Sequence, residues 1–242
     1  MRSLFLLLFL AMATPTAAAP CNDQTFEDSR FTICTYDARH DELRLAWTGP
    51  DGRALRGFEV LGRSLGQDRE RVRFAMNAGM FETDGKPLGL YVEDGAVRRP
   101  LNSRSGGGNF YLKPNGVFLA TGRGAVRIET SEALTAEPRP PRYATQSGPM
   151  LVIDGAFNPQ ISADGPSRNI RNGVGVRDAS TAFFVISDAP VSFGRMARLF
   201  RDQLGCRNAL YFDGSISSAW IPADRRLDNA APLGPMVVVL RK

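Results

Sequence analysis

"LYFDGSISSAW", residues 210–220, runs from a strand-like apolar stretch straight into an acid, a glycine and three serines, then turns apolar again at Trp220. Glycine and short polar side chains make turns, so the segment taken alone is a turn. Its surroundings give it more weight. Upstream, residues 192–204 place Phe193, Met196, Ala197, Leu199, Phe200 and Leu204 on one helical stripe, with Ser192 as cap and Gly205 as stop. This predicted helix lies between a strand at 182–186 and a strand at 209–212. A β-α-β order with Asp213 at the end of the second strand puts the acid where a sheet presents its functional loops.

Working outward, short apolar stretches alternate with turn signals along most of the chain. Residues 31–36 and 42–47 read as an opening pair of strands, and 72–76 as a strand entering the loop Asn77-Ala-Gly-Met-Phe-Glu-Thr-Asp-Gly85. Hairpins are expected at 89–92/96–99 around Asp94-Gly95, at 110–112/117–120 around Asn115-Gly116, and after 150–153 at Asp154-Gly155. A second, weaker helix is expected over 56–66. The fold class is α+β: a single sheet-rich domain over residues 19–242, with hairpins and a few helices packed on the sheet. Its length suffices for a full core.

Residues 1–18 read as a secretory signal peptide, with Arg2, an apolar run from Leu4 to Met12 and a small-residue stretch ending in a cut after Ala18. The run is far shorter than the roughly 20 apolar residues a membrane-spanning helix needs, so no stable membrane insertion is expected. The expected location is secreted or periplasmic. Of the three cysteines, Cys21 and Cys34 are expected to staple the N-terminal segment by a disulfide, leaving Cys206 buried. The net charge of +5 is spread as arginines among acids, without the basic block of a nucleic-acid face.

Several chemistries lack their parts. His40 is the only histidine and sits in a polar turn, no Gly-x-Ser-x-Gly elbow is present, and no Cys/His cluster has metal-ligand spacing. Gly106-Gly107-Gly108-Asn109 lacks the lysine of a phosphate-binding loop and reads as flexible backbone near a strand. What remains are loops at strand ends, at Asn77–Gly79, Gln146-Ser147-Gly148, Arg171-Asn172-Gly173 and Asp213-Gly214-Ser215. Together these supply amides, a guanidinium, a carboxylate and hydroxyls, an inventory for an anionic, polyhydroxylated ligand.

The stretches "FAMNAGMFETDGKPLGLYVEDG", "ATQSGPMLV", "RNGVGV" and "LGCRNALYFDGSISS" resemble, in order, the successive motifs of the phosphodiester glycosidase family. This family includes the domain of the mannose-6-phosphate uncovering enzyme and exported bacterial relatives, some linked to exopolysaccharide. The resemblance implies a hydrolase that cleaves a sugar-1-phosphodiester, acting on a glycan or small-molecule phosphodiester without cofactor or metal. Carried over residue by residue, it implies catalytic roles for Asp213 and Arg171, with Arg171 on the phosphate and Glu82 as second carboxylate. Asn77, Gly79, Gln146, Ser147, Gly173, Gly214, Ser215, Ser217 and Ser218 would line the substrate. The family's Leu-Asp-Gly-Gly-Gly-Ser-Ser signature falls on residues 212–218, where Ser215-Ile216 replaces two glycines and narrows the room above the loop. Two other readings of the same pocket are a noncatalytic binder of anionic glycan and a metal-dependent phosphodiesterase.

Overall fold

The computed structural model describes residues 19–134 and 141–242. The segment read as a signal peptide lies outside the described residues. Three antiparallel sheets frame the described residues. The largest has seven strands in the order Cys21–Phe26, Ser29–Asp37, Thr181–Ser187, Asn172–Asp178, Asn208–Asp213, Met150–Ile153 and Ala156–Phe157. A five-stranded sheet runs Arg226–Leu227, Ala219–Ile221, Val72–Asn77, Met236–Arg241 and Asp41–Ala46. The other five-stranded sheet runs Ala96–Arg99, Tyr91–Glu93, Tyr143–Ser147, Gly116–Ala120 and Val126–Thr130. The α+β expectation holds, with few helices packed on sheets.

Alternation along the strands decides which side chains meet. Ala182, Phe184 and Ile186 face one cluster with Leu210, Phe212, Phe74, Met76, Phe118, Val237 and Val239, so all three sheets bury one face together. The ring of Phe184 is the hub, with centroids 5.6 Å from Phe74, 5.7 Å from Phe118 and 6.5 Å from Phe212. The residues between them point outward under helices. Phe183, Val185, Ala209 and Tyr211 lie with Met196 and Ala197 of helix α2, Phe193–Arg198, and with Phe200 just beyond it. Ala75, Met236, Val238 and Leu240 lie with Phe58 and Leu61 of helix α1, Phe58–Ser64.

Ser192 caps α2 as expected, accepting a hydrogen bond from the Arg195 amide at 3.1 Å. Past Arg198 the helix widens into a π-turn at Leu199–Gln203, and Gly205 ends it with a φ of +65°. The two strands flanking α2 are parallel to each other, yet Asn172–Asp178 is inserted between them. Two of the three expected hairpins form, around Asp94-Gly95 and Asp154-Gly155, each with positive φ at both turn residues. The third does not. Asn109–Tyr111 is a 3-10 turn whose Phe110 carbonyl is held by the Asn115 side chain at 2.9 Å, and Gly116–Ala120 pairs with Val126–Thr130 and Tyr143–Ser147 instead.

Cys21 and Cys34 are bonded, facing each other across the first antiparallel pair of strands. Cys206 is free and buried, and desolvation pushes its thiol up to about 12.

Truncating the hub, Phe184→Ala, is expected to cost about 3–5 kcal/mol. Val97→Ala, on a residue 56% exposed, should stay within about 0.5 kcal/mol. Urea unfolding monitored by fluorescence checks both. Cys206 is expected to resist iodoacetamide at pH 8 in the native protein and to react once urea unfolds it, because the thiolate forms only as pH approaches the raised pKa.

Candidate functional site

Strand direction gathers the site. Asn77 ends its strand, Ser147 ends another, Asn172 begins a third and Asp213 ends a fourth. Register pairing sets Asn172 opposite Asp213, and Met236 opposite both Asn77 and Ala46. One end of all three sheets therefore carries every loop singled out from the sequence. His40 lies in the turn between Ser29–Asp37 and Asp41–Ala46, at the other end.

Asp213 heads the loop that runs to Ser218. Its Oδ1 accepts hydrogen bonds from the amides of Gly214 at 2.6 Å, Ser215 at 2.7 Å and Ile216 at 3.3 Å. Among the described residues nothing donates to Oδ2, and the residue keeps 9% of its surface. The carboxylate is thus fixed through one oxygen and open at the other. Gly214 is required here, since a β-carbon would collide with the Tyr211 hydroxyl. Ser215 is exposed at the loop tip.

Both feet of this loop are pinned by a residue pair. Asn172 Oδ1 accepts from the Asp213 amide at 3.1 Å, and Asn77 Oδ1 accepts from the Ser218 amide at 2.8 Å. The two side chains also bond to each other, with Asn172 Nδ2 donating to the Asn77 carbonyl at 2.8 Å and to its Oδ1 at 3.0 Å. Both asparagines are fully buried. Asn77, expected at a sugar hydroxyl, is instead the mortar between two sheets. Asn172, which the sequence groups with the ligand-binding loops, is likewise spent inside the protein, and its one signal is a polar residue opening a buried strand.

Several other expectations change. Gln146 and Ser147 lie in the strand Tyr143–Ser147, not in a loop. Gln146 is saturated: Oε1 accepts from the amides of Leu90 and Asn102, each at 2.9 Å, and Nε2 donates to the Asn102 carbonyl and to Ser131 Oγ, also at 2.9 Å. Its place is under the site, not at a sugar hydroxyl. Ser147 Oγ donates to the Phe212 carbonyl at 2.9 Å. Ser217 Oγ lies 3.0 Å from the carbonyls of both Ile170 and Asp213, which share its single O–H. Gly79 and Gly173 are packing glycines, because β-carbons there would strike Gln146 and Leu210 backbone. Glu82 faces Arg99 at 3.8 Å on a different sheet, and no contact joins it to Asp213 among the described residues.

Arg171 is near Asp213 in the backbone but is wholly buried, where an open phosphate contact was expected. Its guanidinium stacks 3.6 Å from the centre of the Phe193 ring, Nε donates to the Val191 carbonyl at 2.9 Å, and Nη2 donates to the Ser167 carbonyl and hydroxyl at 3.1 and 3.0 Å. The delocalised cation is weakly hydrated and tolerates an aromatic face, which explains the burial. Nη1 has no partner, and no carboxylate pairs with this cation among the described residues. Burial draws its pKa below the usual arginine value, partly opposed by Tyr211. The Tyr211 hydroxyl is pushed above the ordinary phenol range by burial, partly opposed by the charge of Arg171, whose guanidinium lies 5.1 Å from the Tyr211 ring centre. Among the described residues, no three His, Cys, Asp or Glu side chains gather as ligands for a cation.

The family model for phosphodiester glycosidase matches residues 70–240. The chain belongs to the phosphodiester glycosidase family. It is 32% identical over 243 residues to the uncharacterized protein YigE of Escherichia coli K12, covering 97% of this chain and 92% of that protein. Its fold resembles the zebrafish N-acetylglucosamine-1-phosphodiester alpha-N-acetylglucosaminidase catalytic domain auto-inhibited by its pro-peptide, with a TM-score of 0.59 and 16% identity over 92% of this chain and 81% of that one. It also resembles a hypothetical protein from Synechocystis, with a TM-score of 0.58 and 16% identity over 92% of this chain and 61% of that one. The family motifs quoted above fall at the shared end of the sheets.

Asn77→Ala and Asn172→Ala are each expected to cost about 1–3 kcal/mol, because each strands the other's buried amide. The double variant should cost less than the two singles added together. A urea-unfolding cycle measures this, and strict additivity would contradict the interlock.

Proposed function

We propose that the protein is an exported glycosidase that hydrolyses a sugar-1-phosphodiester, releasing free sugar and a phosphate monoester. The observation that carries this reading is the carboxylate of Asp213, immobilised through Oδ1 with Oδ2 turned free at the meeting point of the sheets, in a chain of this family. Glycosidic cleavage passes through a cation-like sugar carbon, and a rigid carboxylate oxygen stabilises that charge without reorganising. Oδ2 also has the lone pairs to take a proton from attacking water. The departing phosphate monoester has a second pKa near about 6, so it leaves at neutral pH without a strong general acid.

Arg171 acts from beneath. A cation with no carboxylate partner, in a poorly screened interior, makes the end of the strands attractive to a phosphodiester. Its Nε and Nη2 also hold the 162–170 segment and the Val191 carbonyl in place, so it is a positioning residue. Glu82 is given no part. Export is supported by the apolar N-terminal segment and by the Cys21–Cys34 disulfide, a bond of oxidising compartments. A glycan-related phosphodiester fits that location.

Asp213→Asn is expected to lower hydrolysis of a sugar-1-phosphodiester panel by about 10²–10⁴-fold with unfolding free energy close to wild type. Product analysis by mass spectrometry should show free sugar and phosphate monoester, and a chelator should leave the rate unchanged. A wild-type rate in the Asn variant would sink the assignment of Asp213. Binding of the panel without any turnover would instead favour a glycan-binding module, and loss of rate with chelator a metal-dependent phosphodiesterase.

A further inference from the structure

The Gly-rich loop at residues 104–109 stands at the same end of the sheets as the Asp213 loop. A β-carbon at Gly148, just past the strand Tyr143–Ser147, would come within 2.8 Å of the Phe110 carbonyl and 3.4 Å of the Asn109 carbonyl, so one foot of the loop packs against the site end of the sheets. The loop is tied at its other foot as well. The amide and carbonyl of Asn102 are both held by Gln146, while Asn102 Nδ2 donates to the Leu88 carbonyl at 2.8 Å. Asn102 Oδ1 in turn accepts from the Arg104 amide at 3.1 Å and from its Nε at 3.4 Å. The saturated side chain of Gln146 thus serves to fix this loop.

Between these anchors the residues from Ser103 to Gly108 are exposed. The backbone N–H groups of Ser105, Gly106, Gly107 and Gly108 find no acceptor among the described residues. Arg104 forms no ion pair among them either, so its terminal nitrogens are free. Between Asp94 and Glu129 the chain carries no acidic residue but six cations, of which Arg99, Lys113 and Arg127 pair with Glu82, Glu132 and Glu129. An independent sign of a missing anion at this end of the sheets is Arg171, fully buried, with Nη1 unpartnered among the described residues. Free N–H groups beside an unpaired guanidinium are what an oxyanion binds.

We propose that the loop from Arg104 to Asn109 is the oxyanion-binding half of the site, taking the substrate's phosphate through the Arg104 guanidinium and the free N–H groups of residues 105–108. This rests on the glycosidase reading for its substrate. Asp213 then faces the sugar carbon on one side and the Gly-rich loop faces the phosphate on the other. It also gives the phosphate a solvent-reachable partner, which Arg171 is not. Gly107 and Gly108 have open space where a β-carbon would be, so the backbone there lies bare to a ligand.

The test is an amide-resolved NMR titration of the ¹⁵N-labelled protein with inorganic phosphate. Saturable shifts of the residue 105–108 amides are expected, with Arg104→Ala weakening the apparent Kd at least fivefold and Arg123→Ala, on an exposed arginine in another turn, titrating like wild type. Unmoved 105–108 amides, or Arg104→Ala binding as wild type, overturn the proposal. So does equal weakening by Arg123→Ala, which would mean diffuse charge attraction. Hydrolysis assays run on the same samples separate the two claims. If phosphate binds the loop as expected but no sugar-1-phosphodiester is cleaved, the loop site stands and the glycosidase reading falls. If cleavage proceeds and Arg104→Ala leaves KM unchanged, the loop site falls and the glycosidase reading stands.

Discussion

The site depends on two buried amides bonded to each other. A primary amide in a protein interior has to fill both its oxygen and its nitrogen or incur a desolvation penalty, and Asn77 and Asn172 do so mutually while each also takes one backbone N–H from the loop between Asp213 and Ser218. Asparagine suits both places because it both donates and accepts. An aspartate could not donate, and a leucine could not accept. The pairing welds the seven-stranded sheet to the sheet that contains Val72–Asn77, so the loop bearing the Asp213 carboxylate cannot shift without breaking the contact between layers.

That weld works because the rest of the architecture brings strand ends together. The aromatic hub holds the three sheets face to face, and antiparallel pairing then sends alternate loops to opposite ends. The loops after Val72–Asn77, after Tyr143–Ser147, before Asn172–Asp178 and after Asn208–Asp213 share one end, and the turn holding His40 falls at the other. Packing glycines finish the approach. At Gly79, Gly173 and Gly214 any side chain would strike a neighbouring strand or the Tyr211 hydroxyl, so these positions serve proximity more than ligand access.

Much of the fold was legible because its signals are local. Short apolar stretches between turn signals marked the strands, Asp-Gly marked two hairpins, and Ser192 and Gly205 marked the ends of the α2 segment. Failures came where a residue's partner is distant in sequence. Tyr143–Ser147 is buried on both faces, so it shows no alternation, and Gln146 and Ser147 beside Gly148-Pro149 looked like a loop. The Phe110 region is drawn out of a hairpin by an Asn115 side chain that sequence spacing cannot orient. Of the site, the positions of Asp213 and its loop were readable, as was the meeting of the four motifs. The roles of Asn77, Gln146 and Arg171 were not, because composition shows that a side chain can bind but not that a neighbour has already taken its bonds.

Arg171 is the clearest instance. An arginine at a strand start before Asn-Gly reads as an exposed hand for phosphate, but Phe193 and Tyr211 cover it, and carbonyls rather than carboxylates take its protons. Many other arginines of this chain sit on acids at the surface, as with Arg30 on Asp23, Arg198 on Glu27 and Arg226 on Asp228. Leaving a buried guanidinium without an acid is costly unless something negative arrives near it. Asp213 does not fill that need, since its held oxygen is spent on its own loop. The end of the sheets therefore presents a fixed positive charge underneath and a single open carboxylate oxygen above. That polarity suits a ligand carrying a negative group next to a carbon that becomes positive as its bond breaks, and a sugar-1-phosphodiester has both within two bonds.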